Sequence, residues 1–240
     1  MTKPELVIAH LYPDEMNIYG DNGNVLTLVK RLEWRGLGVR VDRVELGQKY
    51  DFTAADLVFG GGGQDRGQSI VAADLQKRSQ VLHRAAETCV VMLLVCGLYQ
   101  LFGRRFVTSD GAVIPGIGIF AAETIAGQER LIGNVVVKSS FGRLVGFENH
   151  SGQTKLLEGQ AALGEVIKGF GNDSRSRQEG AQIDNVFGTY LHGPILPKNP
   201  ILADQLIKLA LQRRYPKLSL DSLDDRLETR AAAVAASRPQ

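Results

Sequence analysis

Strands alternate with helices through the first hundred residues, and this predicts an α/β fold with a mostly parallel sheet doubly wound by helices. The second half is β-rich and punctuated by glycine turns, which predicts antiparallel additions to the same sheet. The 240 residues carry 44% hydrophobic side chains, show no long linker and contain no internal repeat. One domain is expected.

The elements follow in order. ELVIAHL at 5–11 reads as a first strand, and residues 12–23 (YPDEMNIYGDNG) as a turn-rich loop. Val25, Leu28, Val29 and Leu32 fall at i, i+3, i+4 and i+7, one face of a helix, and Gly36 is a suitable stop. Residues 39–46 alternate as a second strand. Residues 55–59 form a short buried strand that runs into Gly60–Gly63. A long polar helix is expected over 68–87, with His83 solvated. VVMLLV at 90–95 is a buried strand that passes straight into a helix. Further on, 131–147 and 181–191 read as strands and 171–182 (GNDSRSRQEGAQ) as a mobile polar surface loop. Helical periodicity returns over 197–215. Residues 221–237 open with Asp221, Asp224 and Asp225 and carry Arg226 and Arg230 later, as a helix dipole prefers. A domain over 1–215 and a helical tail over 216–240, a surface for a partner, are the expected division.

Composition excludes some classes. Twenty-eight Lys and Arg against 26 Asp and Glu leave a net charge of +2, with no basic footprint for nucleic acid. No signal peptide is evident, and no apolar run reaches the roughly 18 residues of a membrane span. A cytoplasmic protein is expected. Cys89 and Cys96 would lie about 23 Å apart at opposite ends of a strand, beyond disulfide reach. No cysteine or histidine spacing suggests zinc, and no metal is expected.

The chemistry concentrates at Cys96. Open parallel sheets place their sites at the carboxyl ends of strands, and Cys96 sits at such an end with Gly97 opening the next helix. That is a nucleophile elbow, a strained strand-to-helix bend that exposes a side chain. A helix N-terminus also favours negative charge on the sulfur. The Gly97 N–H can face a developing oxyanion. Cys89, at the strand's other edge, reads as structural. The glycines at 60–63 allow close backbone approach, for an oxyanion hole or a phosphate, but no GxxxxGK[ST] motif is present. A thiol nucleophile needs a base. His10, His150 and His192 all fall near strand ends, and position in the sequence alone does not choose among them.

CGLYQLFG at 96–103, the glycine loop at 60–65 and TYLHGP at 189–194 together resemble the class I (triad) glutamine amidotransferases of the cobyric-acid-synthase type, which share a flavodoxin-like fold. NIYGDNGN at 17–24, RLIGN at 130–134 and GFENHSG at 146–152 resemble, within that group, the glutaminase subunits of lipid II isoglutaminyl synthase. The resemblance implies that Cys96 attacks the side-chain amide of L-glutamine while His192 passes protons. It implies that Gly97, Gly61 and Gly62 hold the oxyanion and that Arg130 grips the α-carboxylate through a two-toothed guanidinium. It also implies a Mur-ligase-like, MurT-type partner that holds ATP and Mg²⁺ and amidates the D-glutamate of lipid II. This chain would carry no cofactor and would meet the membrane only through lipid II and the partner.

Two positions depart from that pattern. Leu94 stands where many relatives have glycine. Pro194 stands where the third triad member, a glutamate, is usual. Glu148 and Asp21 are the acids available within the chain, and a carboxylate supplied in trans by the partner is the expectation. Other readings are the same glutaminase serving a corrinoid amidation, a non-catalytic flavodoxin-like binding module, and a cysteine hydrolase of similar architecture.

Overall fold

A computed structural model describes residues 3–63 and 65–239. Gln64 of the glycine-rich loop lies outside the described residues.

The first half follows the expected alternation: β1 (Glu5–Leu11), α1 (Asn22–Glu33), β2 (Gly38–Val44), β3 (Leu57–Gly60), α2 (Asp65–Glu87), β4 (Val91–Val95) and α3 (Gly97–Phe102). On α1 the predicted apolar face buries Val25, Leu28 and Leu32. All five residues of β4 are buried, as a strand covered on both faces requires. The second half contains β5 (Arg105–Val107), β6 (Val113–Pro115), β7 (Ala122–Ser139), β8 (Gly142–Leu156), β9 (Gly164–Lys168), β10 (Gln178–Glu179), β11 (Ala181–Ile183) and β12 (Val186–Thr189). It closes with α4 (Pro200–Arg214) and α5 (Arg226–Ser237).

One six-stranded sheet has the order β11-β12-β4-β3-β1-β2. Every pairing in it is parallel except β11 with β12. α1 packs on α4 and α2 on α3, the two helical layers of a doubly wound sheet. From β1 the chain runs outward to β2 and then returns to β3 on the other side. This reversal opens a crevice at the carboxyl edge, where such sheets bind ligands.

The fold class is therefore the expected one, with a difference in where the antiparallel strands go. Only β11 joins the parallel sheet. β7 and β8 form a long hairpin that builds a second sheet with β9, β10, β5 and β6. β12 takes the free edge of β4 and β11 that of β12, while the hairpin pairs with itself and with β5 and β9. The two sheets touch through an isolated bridge between Phe147 of β8 and His192, just past β12.

Two further expectations are corrected. The 171–182 segment is not simply a solvated loop. Residues 174–178 are exposed, but Asn172 and Glu179 are buried. The Asn172 side chain accepts from the Gly180 N–H and donates to the Gly180 carbonyl, both at 2.8 Å, and closes the segment on itself. The last helix begins at Arg226 and not at 221, and of the acidic residues before it Asp225 is held by Arg31. Arg31, fully buried, pairs with Asp204 at 2.6 Å and with Asp225 at 2.7 Å and clasps the tail to α1 and α4. No described helix is long and apolar enough to cross a membrane.

Candidate active site

The bend after β4 has the geometry its sequence predicts. Cys96 adopts φ 50° and ψ −104°, a conformation that non-glycine residues rarely hold. Its N–H donates to the Thr189 carbonyl at 2.8 Å, so β12 fixes the bend from the side. Gly97 is tightly enclosed here: a Cβ would stand 2.6 Å from Gln68 Nε2, 2.8 Å from Met16 Cε and 3.0 Å from the Gly63 backbone nitrogen. Leu94, in place of the usual glycine, is accommodated across the sheet. Gly60 faces it, and a Cβ on Gly60 would lie 2.1 Å from Leu98 Cδ1 and 3.4 Å from Leu94 Cδ1.

The fold selects one histidine of the three. His192 is fully buried, and its backbone pairs with Phe147, with its N–H donating at 2.7 Å. Gly62 separates it from the cysteine: a Cβ there would meet His192 Cε1 at 2.9 Å and Cys96 Cβ at 3.1 Å. His192 Nε2 has no hydrogen-bond partner among the described residues, and the Cys96 side chain lies close enough for its charge to act on the ring. On the other side Nδ1 lies 3.3 Å from Asp21 Oδ1, and Asp21 Oδ2 accepts the Gly62 N–H at 2.7 Å. Burial disfavours the imidazolium, but charge on Cys96 and the Asp21 carboxylate outweigh it and raise the His192 pKa to about 10.

Behind His192, where a carboxylate from a partner was expected, the structure places this chain's own Asp21. Pro194, which replaces the usual glutamate, packs where a Cβ on Gly23 would be, 2.4 Å from its Cγ. It thus supports the start of α1, beside Asp21. Glu148, the other candidate acid, does not approach His192. Its two oxygens accept the Phe170 and Gly171 N–H groups, each at 2.7 Å. Burial pushes its pKa up and those donors oppose the rise.

The remaining histidines are occupied otherwise. His10 packs on Phe59, and burial, with Arg43 nearby, pushes it down to about 4. His150 stacks on Tyr190 at 3.6 Å and its Nδ1 faces the Gly152 carbonyl at 2.6 Å. Burial holds it neutral, with a pKa near 4. His83 is half-buried and not solvated, since its Nε2 meets the Ile117 carbonyl at 2.7 Å. Cys89 is exposed and far from this chemistry, at the start of the strand.

A cleft of about 400 Å³ opens onto Cys96. Arg130 and Asn149 line it from the β7–β8 hairpin, Gln68 and Gln100 from α2 and α3, and Tyr19 from the β1–α1 loop. Arg130 Nε donates to Asn149 Oδ1 at 2.5 Å, which holds the guanidinium at the cleft. The glycine loop differs from expectation in one respect. The Gly62 N–H is spent on Asp21 and is not free for an oxyanion. Gly63 lines the cleft instead, with its N only 3.0 Å from where a Gly97 Cβ would be. Gly61 is a packing glycine: a Cβ would stand 2.3 Å from the Met16 carbonyl oxygen.

Sequence reasoning did not single out Gln68, Gln100 or Tyr19, and offered Gly63 only as one of the four glycines of the loop. Gln100 lies inside a motif already noted, four residues after Cys96, on the face of the short helix that turns back to the cleft. Its amide accepts from Gln68 and donates to Tyr190 Oη, both at 3.0 Å.

A thiol on a strained bend, with a buried imidazole and carboxylate aligned behind it, is equipped for acyl transfer through a covalent thioester. The chain belongs to the CobB/CobQ-like glutamine amidotransferase family, whose model matches residues 7–200. It is 37% identical to the lipid II isoglutaminyl synthase (glutamine-hydrolyzing) subunit GatD of Staphylococcus aureus, over 98% of this chain and 96% of that one. It is 40% identical to the GatD subunit of Streptococcus pneumoniae, over 95% and 89%. Likeness to the cobyric acid synthase of Listeria innocua is weaker, 28% over 78% of this chain and 38% of that one. Among solved structures, the fold is shared with a glutamine amidotransferase (TM-score 0.57, 13% identity, 84% of this chain and 98% of that one). It is shared also with the glutaminase domain of Trypanosoma brucei CTPS with bound acivicin (TM-score 0.54, 13% identity, 90% and 96%). The chain is a glutamine-hydrolysing enzyme subunit.

Proposed function

We propose that Cys96, His192 and Asp21 form the catalytic triad of this glutaminase. The observation that carries the reading is the burial of His192 between the cysteine and the Asp21 carboxylate. The Cys96 sulfur attacks the side-chain carbonyl of L-glutamine. The oxyanion is met by the Gly97 N–H and the neighbouring Gly63 N–H, a type of donor whose removal costs about 3 kcal/mol. His192 gives its proton to the departing nitrogen, the C–N bond breaks, and ammonia leaves a glutamyl thioester. Water, with His192 as base, then adds to the thioester, releases glutamate and restores the thiol. Arg130 takes the α-carboxylate in the same cleft.

The ammonia serves a second polypeptide. Both GatD relatives are named as subunits of lipid II isoglutaminyl synthase, and the near full-length match supports the same assignment here. The partner is a Mur-ligase-like, MurT-type chain that binds ATP and Mg²⁺, activates the D-glutamate α-carboxylate of lipid II and converts it to the amide. The complex works in the cytoplasm, at the membrane face where lipid II is presented. Residues 216–240 are a contact surface for that partner. The corrinoid alternative is disfavoured by the 28% likeness and by the small share of the cobyric acid synthase that this chain spans.

Glutamate release from L-glutamine tests the chemistry: it is expected to disappear in Cys96→Ala, and retention would exclude the thioester route. Co-purification from the native host tests the acceptor. Recovery of a Mur-ligase-like chain is expected, and recovery of a corrinoid-binding synthase would overturn the lipid II assignment.

A further inference from the structure

Tyr19 stands between the two halves of this site. Its ring meets His192 edge-on, with centroids 5.0 Å apart and planes at 72°. Its hydroxyl accepts from Arg130 Nη2 at 3.2 Å. It lines the cleft that opens on Cys96 and is 40% exposed. Its backbone lies in the left-handed region, φ 59° and ψ 21°, which is uncommon for an aromatic residue and recurs where function fixes a side chain. Nothing in the packing of a buried core demands this, because the ring is at the surface.

The hydrogen-bond inventory shows what the hydroxyl is free to do. A tyrosine hydroxyl both donates and accepts. Here it accepts from Arg130, and among the described residues nothing takes its proton. Arg130 is held firmly through Nε on Asn149 Oδ1 at 2.5 Å. Nη2 reaches only long contacts, Tyr19 Oη at 3.2 Å and the Asn149 carbonyl at 3.3 Å. Nη1 has no partner among the described residues. An incoming carboxylate would meet Nη1, Nη2 and an unclaimed O–H on the same side.

We infer that Tyr19 is a second ligand of the glutamine α-carboxylate, donating its hydroxyl beside Arg130, and that its ring is the lateral wall that orients His192. The inference rests on the glutaminase reading above and extends it: one residue connects recognition of the amino-acid end of the substrate to placement of the proton-transfer group at the amide end.

Two substitutions separate the hydroxyl from the ring. Glutamate release is measured as a function of glutamine concentration on the full chain, purified with the partner it retains. Tyr19→Phe keeps the ring and is expected to raise KM about tenfold, the loss of one hydrogen bond to a charged group, with kcat within twofold. Tyr19→Leu is expected to raise KM similarly and also to lower kcat about tenfold or more, with the pH dependence of kcat displaced. A wild-type KM in Tyr19→Phe overturns the carboxylate role. A wild-type kcat in Tyr19→Leu overturns the positioning role. Either result leaves the triad intact, whereas turnover that survives Cys96→Ala removes the underlying reading as well. Because Tyr19 is substantially exposed, unchanged thermal unfolding in both variants is expected, and it excludes collapse of the fold as the cause.

Discussion

Asp21 Oδ1 lies 3.3 Å from His192 Nδ1, across 171 residues of chain, with both side chains removed from solvent. The carboxylate comes from the loop after the first strand and the imidazole from the segment after the last strand of the parallel sheet. The same aspartate uses its other oxygen to hold the Gly62 N–H, so it shapes the glycine loop while it orients the ring.

Replacing Asp21 with Asn therefore has two expected effects. Glutamine turnover falls by about two to four orders of magnitude, the range seen when a triad carboxylate is made neutral. Added partner subunit does not restore it. Single-turnover glutamate release, with and without partner, measures both, and restoration by the partner would return the acid to the other chain.

The charge on Cys96 is among the main influences that hold His192 up at about 10. In Cys96→Ala that influence is gone and the His192 pKa is expected to drop, as NMR titration of the imidazole would show. The stability consequence has a definite sign. A histidine whose folded pKa exceeds its ordinary 6.5 contributes stability that is full below about pH 6.5 and lost as pH rises through 10. Chemical denaturation between pH 6 and 10 should show this decline in the wild type and a smaller one in Cys96→Ala.

Glu179 provides the opposite kind of test. It is fully buried and accepts from the Thr189 hydroxyl at 2.6 Å and the Tyr190 N–H at 2.9 Å. Burial first, and the nearby Glu148 charge, push its pKa up to about 7. A carboxyl raised above its ordinary 4.5 stabilises the fold below that value and ceases to do so as pH rises through 7. Glu179→Gln keeps an acceptor for both donors and has nothing to ionise. It is expected to gain on the order of 2 kcal/mol over wild type on going from pH 5 to pH 8 in urea unfolding. An equal difference at both pH values would count against this.

Arg31 is the clasp of the carboxyl-terminal tail. Arg31→Met leaves the Asp225 carboxylate without its buried partner and Asp204 with Arg35 alone. A loss of about 3 kcal/mol is expected, along with faster protease cleavage after residue 220. Unfolding curves and limited proteolysis report the two effects separately.

Much of this was legible in the sequence, for physical reasons. β1 was found at its full length, because seven residues of strand propensity between polar flanks admit no other reading. The bend at Cys96 was legible because a buried apolar strand that runs into Cys-Gly points to a strand-to-helix turn. The base was not determined by position, since in the sequence His10, His150 and His192 all read as lying near strand ends; the pairing of β12 with β4 brings His192 toward the cysteine. The oxyanion assignment to Gly62 failed because a run of glycines does not reveal which N–H is already engaged. The second sheet was missed because strand periodicity gives direction and faces but not which edge is vacant.

The rung between Phe147 and His192 has a mechanical consequence. His192 is stitched to the hairpin, while the Cys96 bend is stitched to the parallel sheet through Thr189. A shift of the hairpin reaches the ring through this pair of main-chain bonds, beside the Val145–Asn199 and Thr154–Tyr190 hydrogen bonds. Substitutions on the hairpin's outer face, away from the side that lines the cleft, are therefore expected to change turnover.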